Sequence, residues 1–159
     1  MNCSINDFKQ DMEFVSGGDF NQYNTIVRKK FYDDFVNNAV YRNGRRISAG
    51  SSEKEIEMCY DHLTSIGSMG KERIPDLRRM ECIFILKEML ESSHCANCKN
   101  IYVWEKQEKY LKEKIFCPET GYLIILLKRD KTYKFVSAFF IESKAKRKRL
   151  IDECRKANE

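Results

Sequence analysis

The sequence predicts an α+β domain: an antiparallel sheet of about four strands packed on a helix, with helices before it and a basic helix after it. Three observations carry this. Apolar residues recur at spacings of three and four through much of the chain before Glu91. Short apolar runs separated by turn signals fill the stretch from Ile101 to Ile141. A cluster of positive charge closes the sequence.

Phe20 to Tyr41 reads as a helix, with Tyr23, Ile26, Val27, Phe31, Phe35 and Val36 on one stripe. Asn43-Gly44 ends it as a turn, and Ile47 to Ser52 reads as a loop. Ser52 is placed to cap a second helix over Glu53 to Ile66, which Gly67 stops. A third helix starts at Pro75, a residue suited to a first helical turn, and runs to about Glu91. Its apolar stripe is wide enough to lie flat on a sheet.

Strands follow. Ile101 to Lys106 alternates, Lys114 to Cys117 is short, and Pro118 to Gly121 is a turn. Tyr122 to Lys128 is apolar on both faces, as in a central strand. Arg129 to Thr132 closes a hairpin onto Tyr133 to Ile141. Strict alternation there sets Tyr133, Phe135, Ser137, Phe139 and Ile141 on one face and Val136, Ala138 and Phe140 on the other.

The chain has 159 residues, 42% hydrophobic and 33% charged, enough for one soluble domain. Residues 1–70 read as a helical region and 71–159 as the sheet-bearing domain, the two compatible with one compact unit. No run has the length of a membrane-spanning helix, and the N-terminus lacks a secretion signal, so a cytoplasmic protein without a membrane partner is expected. Seven cysteines with no export signal are expected to stay reduced.

The net charge of +5 is concentrated. Lys144 to Lys156 holds seven basic residues and two acids, which alone gives +5. Such a segment suits a phosphate-bearing partner or forms a solvated helix face.

His94-Cys95-Ala96-Asn97-Cys98 has one zinc-type pair but no second spaced pair, so no metal or other cofactor is expected. Ser137 has no neighbouring histidine or Gly-rich elbow and is not a hydrolase nucleophile. His62 and His94 are the two histidines, and nothing in the sequence places them together. RNA cleavage needs a base for the 2′-hydroxyl and cations for the charged phosphorane. Arg73, Arg78, Arg79, Glu81, Lys106, Lys128 and Arg129 are available near the right elements.

Four segments then occur in a telling order: Asp76-Leu77-Arg78-Arg79-Met80-Glu81-Cys82-Ile83, Val103-Trp104-Glu105, Gly121-Tyr122-Leu123-Ile124-Ile125-Leu126 and Ser137-Ala138-Phe139-Phe140-Ile141-Glu142, with Lys146-Arg147-Lys148-Arg149-Leu150 after them. This half of the chain, about Arg73 to Cys154, resembles the phage-associated nucleases of the barnase, EndoU, colicin and RelE-like (BECR) superfamily. The resemblance implies a metal-independent endoribonuclease, phage-encoded or toxin-like, that cleaves tRNA or mRNA through its 2′-hydroxyl and is restrained by an immunity or antitoxin protein. On that reading Arg79 with Lys128 or Arg129 stabilises phosphate charge, Glu81 is the base and Ser137 orients the phosphate. Trp104 stacks a base or, as an equally good reading, is a core tryptophan, and Arg78, Lys144, Lys146, Arg147 and Lys148 hold RNA. The chain departs from the family pattern at Cys82, Ile85, Phe139 and Phe140, which lose a cation and phenols. The alternative is a catalytically inactive relative that acts as an RNA- or protein-binding module.

Overall fold

The computed structural model describes residues 18–67, 72–92 and 101–159. Helix α1 (Phe20–Phe35) is followed by β1 (Tyr41–Arg42), β2 (Arg45–Ser48) and α2 (Glu53–Thr64). Strands β3 (Ser65–Ile66) and β4 (Ile74–Pro75) lead into α3 (Leu77–Ser92). The meander β5 (Tyr102–Gln107), β6 (Leu111–Phe116), β7 (Tyr122–Lys128) and β8 (Thr132–Phe140) comes next, and α4 (Lys144–Ala157) ends the chain.

The α+β class holds, but the expected four-stranded antiparallel sheet does not. The main sheet has six strands in the order β1-β2-β8-β7-β6-β5. It is mixed, because β2 lies parallel to β8, with Ile47 opposite Tyr133. The two extra strands come from the segment Tyr41 to Ser48. Asn43 and Gly44, both at positive φ, close a tight hairpin there rather than merely ending a helix. Pro75 likewise pairs with Ser65 in the small β3–β4 sheet, and α3 begins two residues later, capped by the Asp76 carboxylate on the Arg79 N–H.

The six-stranded sheet is curled. Arg42 on β1 donates through Nε to Glu113 on β6, at 2.7 Å. In a flat sheet those strands would stand four spacings apart, about 19 Å. Curling brings them together, and Arg42 Nη1 also meets the Leu90 carbonyl near the end of α3 at 2.7 Å. This buried cation therefore joins two distant strands and a helix terminus.

Helices α1, α2 and α3 cover one face of the sheet. Tyr23, Val27, Phe31, Leu63, Ile83 and Leu86 pack there against Ile115, Ile124, Leu126, Tyr133 and Ala138. The opposite face carries a smaller cluster of Trp104, Phe116, Leu123 and Cys154, closed by Leu150 and Ile151 of α4. The described part of residues 1–70 thus shares one core and one sheet with the rest. The Ser52 hydroxyl caps α2 on the Glu55 N–H, as its place before the helix predicts.

Gly121 links β6 to β7 at φ +84, and an added Cβ would sit 2.5 Å from the Ile141 carbonyl and 2.6 Å from Arg147 Nη2. Gly121→Ala combines backbone strain of roughly 1–3 kcal/mol with that clash. It is expected to lower the midpoint of urea unfolding without changing the slope.

Candidate functional site

The candidate residues expected from sequence do not form one constellation. Arg79 lies at the start of α3, close enough to Tyr122 for each to shift the other's titration. Lys128 stands at the far end of the same strand, about 20 Å away at 3.3 Å per residue. It is ion-paired with Glu105, and this hydrogen bond raises its pKa. Arg129 follows it in the exposed hairpin, where its carbonyl accepts from Arg45 Nε at 2.9 Å.

Glu81 is two residues from Arg79 on one helix, a spacing that sends the side chains to different faces. It is 8% exposed within the packed face of α3. Ser137 stands on the opposite sheet face. A register shift leaves Val136 as an extra residue, so Ser137 faces Ile125 while Phe135 faces Leu126. Tyr133 and Phe135 consequently share the helix-covered face with Ala138 and Phe140, which corrects the strict alternation expected for this strand. Ser137 points with Phe139 toward the α4 side.

The expected RNA contacts also divide. Trp104 is 2% exposed, and its indole N–H donates to Glu153 at 2.9 Å, so it is a core side chain and not a stacking platform. Burial alone would raise the Glu153 pKa, but hydrogen bonds from Lys106, Lys114 and Trp104 bring it below the ordinary value. Arg78 lies 3.8 Å over the Phe140 ring and pairs with Glu142, and both Arg78 and Arg147 donate to the Thr120 carbonyl at 3.1 Å. These two arginines tie α3 and α4 to the β6–β7 turn. Lys144, Lys146 and Lys148 are exposed on α4 and make no ion pair with a described residue. The Cys95/Cys98 pair lies outside the described residues, and among those described no cluster of three metal-ligating side chains occurs.

What the fold does bring together is His62, Ser65, Arg73 and Arg79. His62 is in the last turn of α2, Ser65 opens β3, Arg73 precedes β4, and Arg79 lies in the first turn of α3. The Ser65 carbonyl accepts from both Arg73 Nη2, at 2.7 Å, and Arg79 Nη1. Arg73 Nε donates to Ser65 Oγ at 2.8 Å, and Arg73 Nη2 reaches the His62 carbonyl at 3.4 Å. Neither guanidinium makes a salt bridge with a carboxylate among the described residues, and Arg79 Nε and Nη2 donate to none of them. Two like charges converge on one carbonyl, with the Asp76 carboxylate the nearest opposing charge on Arg79, and this leaves a locally electropositive point.

His62 titrates below the ordinary histidine value. Burial is the largest cause, and the charges of Arg73 and Arg79 add to it. The C-terminal helix position would favour the charged imidazole, but these effects win. The imidazole is consequently neutral at pH 7 and able to accept a proton. Arg79 is itself shifted downward by burial, yet a guanidinium remains charged at any working pH.

Two cavities flank this point on opposite sides of α2. One, of 190 Å³, is mostly apolar and includes His62 in its lining. The other, of 350 Å³, is more polar and of mixed charge: Ser65 and Arg73 line it together with Asp61, Glu72 and an Arg28 already paired with Glu57. A base, two cations and two adjoining recesses suit a phosphodiester with groups on either side. His62 is visible in the sequence as a titratable residue. Arg73 and Arg79 are visible too, as cations, but their meeting with His62 is not, because Arg73 arrives through the two-residue strands β3 and β4. No protein-family model, curated protein or solved structure matches this chain.

Proposed function

We propose that this protein is an endoribonuclease that needs no metal and acts at the His62–Arg73–Arg79 site. The observation that carries this reading is the convergence of Arg73 and Arg79 on the Ser65 carbonyl, near enough to His62 for their charges to add to burial in keeping its imidazole neutral at pH 7. His62 takes the proton of a 2′-hydroxyl, and the 2′-oxygen attacks the adjacent phosphorus. The bond to the 5′-oxygen breaks, that oxygen takes a proton from water, and the imidazolium gives its proton to the hydroxide left behind, restoring neutral His62. Arg73 and Arg79 hold the non-bridging oxygens as charge builds in the phosphorane. The products are a 2′,3′-cyclic phosphate and a 5′-hydroxyl. The sequence resemblance to phage-associated BECR nucleases supports the same reaction class, with Arg79 common to both readings and His62 replacing Glu81 as base. The exposed lysines of α4 supply a salt-sensitive attraction for RNA.

Incubation of the purified protein with total cellular RNA in EDTA tests this. Discrete cuts ending in 2′,3′-cyclic phosphates, abolished in Arg79→Ala, are the expected result. RNA that is bound but intact at every enzyme concentration would leave only the binding-module reading.

A further inference from the structure

The apolar cavity beside His62 lies between α2 and β8. Met58, Cys59 and Leu63 come from the helix, Phe135 and Val136 from the strand, and His62 closes one end. Two apolar side chains are left exposed at this place: Met58 at 61% and Val136 at 37%. The bulge in β8 places Val136 here, since it is the residue without a register partner on β7. Beyond Lys134 that strand has lost β2 as a neighbour, so α2 rather than a strand flanks it. The inner wall is dry: burial pushes the Cys59 thiol up to about 12.

Polar groups stand among the lining as well. Ser48 Oγ accepts from the Gly50 N–H at 3.2 Å, which leaves its own hydrogen to donate. Lys134 makes no salt bridge among the described residues, and the Glu55 carboxylate is already held by the Ser51 N–H and hydroxyl, each at 2.7 Å. The recess therefore offers apolar walls, two donors and, as acceptor, the Glu55 Oε1 that the Ser51 bonds leave open. At 190 Å³ it is smaller than the roughly 300–1,000 Å³ of pockets that enclose whole ligands, and it fits a single planar ring system.

We infer that this cavity is the base subsite of the same site, taking the nucleobase of the nucleotide whose 2′-hydroxyl His62 deprotonates, with Lys134 and Ser48 selecting a base that presents a ring carbonyl. The inference rests on the proposed nuclease reading for its role but not for its occupancy. Uracil, cytosine and guanine carry such a carbonyl, whereas adenine offers only ring nitrogens and an amino group. Edge donors facing adenine would go partly unpaired, the kind of mismatch that yields strong discrimination.

The test separates the two claims. Uridine and adenosine, which carry no phosphate, are titrated into the full-length protein while the Met58 methyl resonance is followed by NMR. Saturable shifts with uridine, at least tenfold weaker with adenosine and lost in Val136→Trp, are expected. Val136 is exposed at a bulge, so its replacement leaves the core intact, and an unchanged melting temperature checks this. Absence of any uridine-dependent shift at Met58 overturns the subsite, whether or not RNA is cut. Dinucleoside phosphates then report on its role. Val136→Trp should lower kcat/KM at least tenfold, and Lys134→Met should bring the uridine-to-adenosine ratio toward one. Cleavage that depends on His62 but is untouched by Val136→Trp overturns the subsite alone. Cleavage that survives His62→Ala overturns the nuclease site alone.

Discussion

His62→Ala is expected to slow RNA cleavage by roughly 10²–10⁴-fold, the usual contribution of a positioned general base. His62 is among the exposed residues, so the variant should melt within a degree or two of the parent. The pH dependence gives a sharper test. A base works only when unprotonated, so activity should be full at neutral pH and fall on the acid side. The midpoint should lie below the ordinary histidine value of 6.5, because burial and the two arginines oppose protonation. Arg73→Gln removes one of those charges, and the imidazole should then titrate at higher pH, read directly from its ring proton resonances. The linkage to stability has the same sign. Between the depressed folded value and 6.5 the unfolded chain binds more protons, so stability falls as pH drops through that window. His62→Ala should flatten that part of the stability profile. An imidazole that titrates at or above the ordinary value would remove the basis of the proposed mechanism.

Glu113→Ala is expected to cost about 3–5 kcal/mol, the largest effect on stability of any single change considered. Arg42 and Glu113 are both buried, 4% exposed each, and the substitution removes the carboxylate that faces the buried guanidinium. Typical domains are stable by 5–15 kcal/mol, so the variant should approach its unfolding threshold at 37 °C. The paired change Arg42→Met with Glu113→Leu removes both charges and should recover most of the loss. Urea denaturation of the three variants measures this. If Glu113→Ala is within 1 kcal/mol of the parent, the ion pair does not hold the curl.

How far the sequence revealed these features depended on the kind of signal. The Ser52 cap, the apolar stripes of α1 and α3 and the apolar run of β7 each leave a local pattern; β5, β7 and β8 lie close to their expected ranges, whereas β6 starts at Leu111, three residues before the expected Lys114. Strands β1 and β2 leave none, since Tyr41-Arg42 and Arg45-Arg46-Ile47-Ser48 are short and charged, and their pairing partner is far away in sequence. The same is true of the site. Arg79 could be picked out, but Glu81 was a poor companion by helical geometry, and Ser137 changed faces because a bulge interrupts β8. His62 needed a tertiary contact with Arg73 that no spacing encodes. Trp104 shows the converse: its aromatic character suggested stacking, and only its bond to Glu153 on a helix fifty residues later places it inside.

The parallel contact between β2 and β8 also bears on how the chain is made. During synthesis β2 leaves the ribosome long before Thr132 to Lys134, its partner in the sheet, has been translated. Until then the β1–β2 hairpin has no third strand, and the Arg42 guanidinium has no carboxylate on β6 to meet. An isolated two-stranded hairpin is marginal in water. The early product therefore lacks the strand that joins the β1–β2 hairpin to the β5–β7 meander, and commitment to the six-stranded topology waits for β8. Contacts of such long sequence separation slow folding, and a chain truncated before β8 should be a target for chaperones or proteases rather than a smaller folded protein.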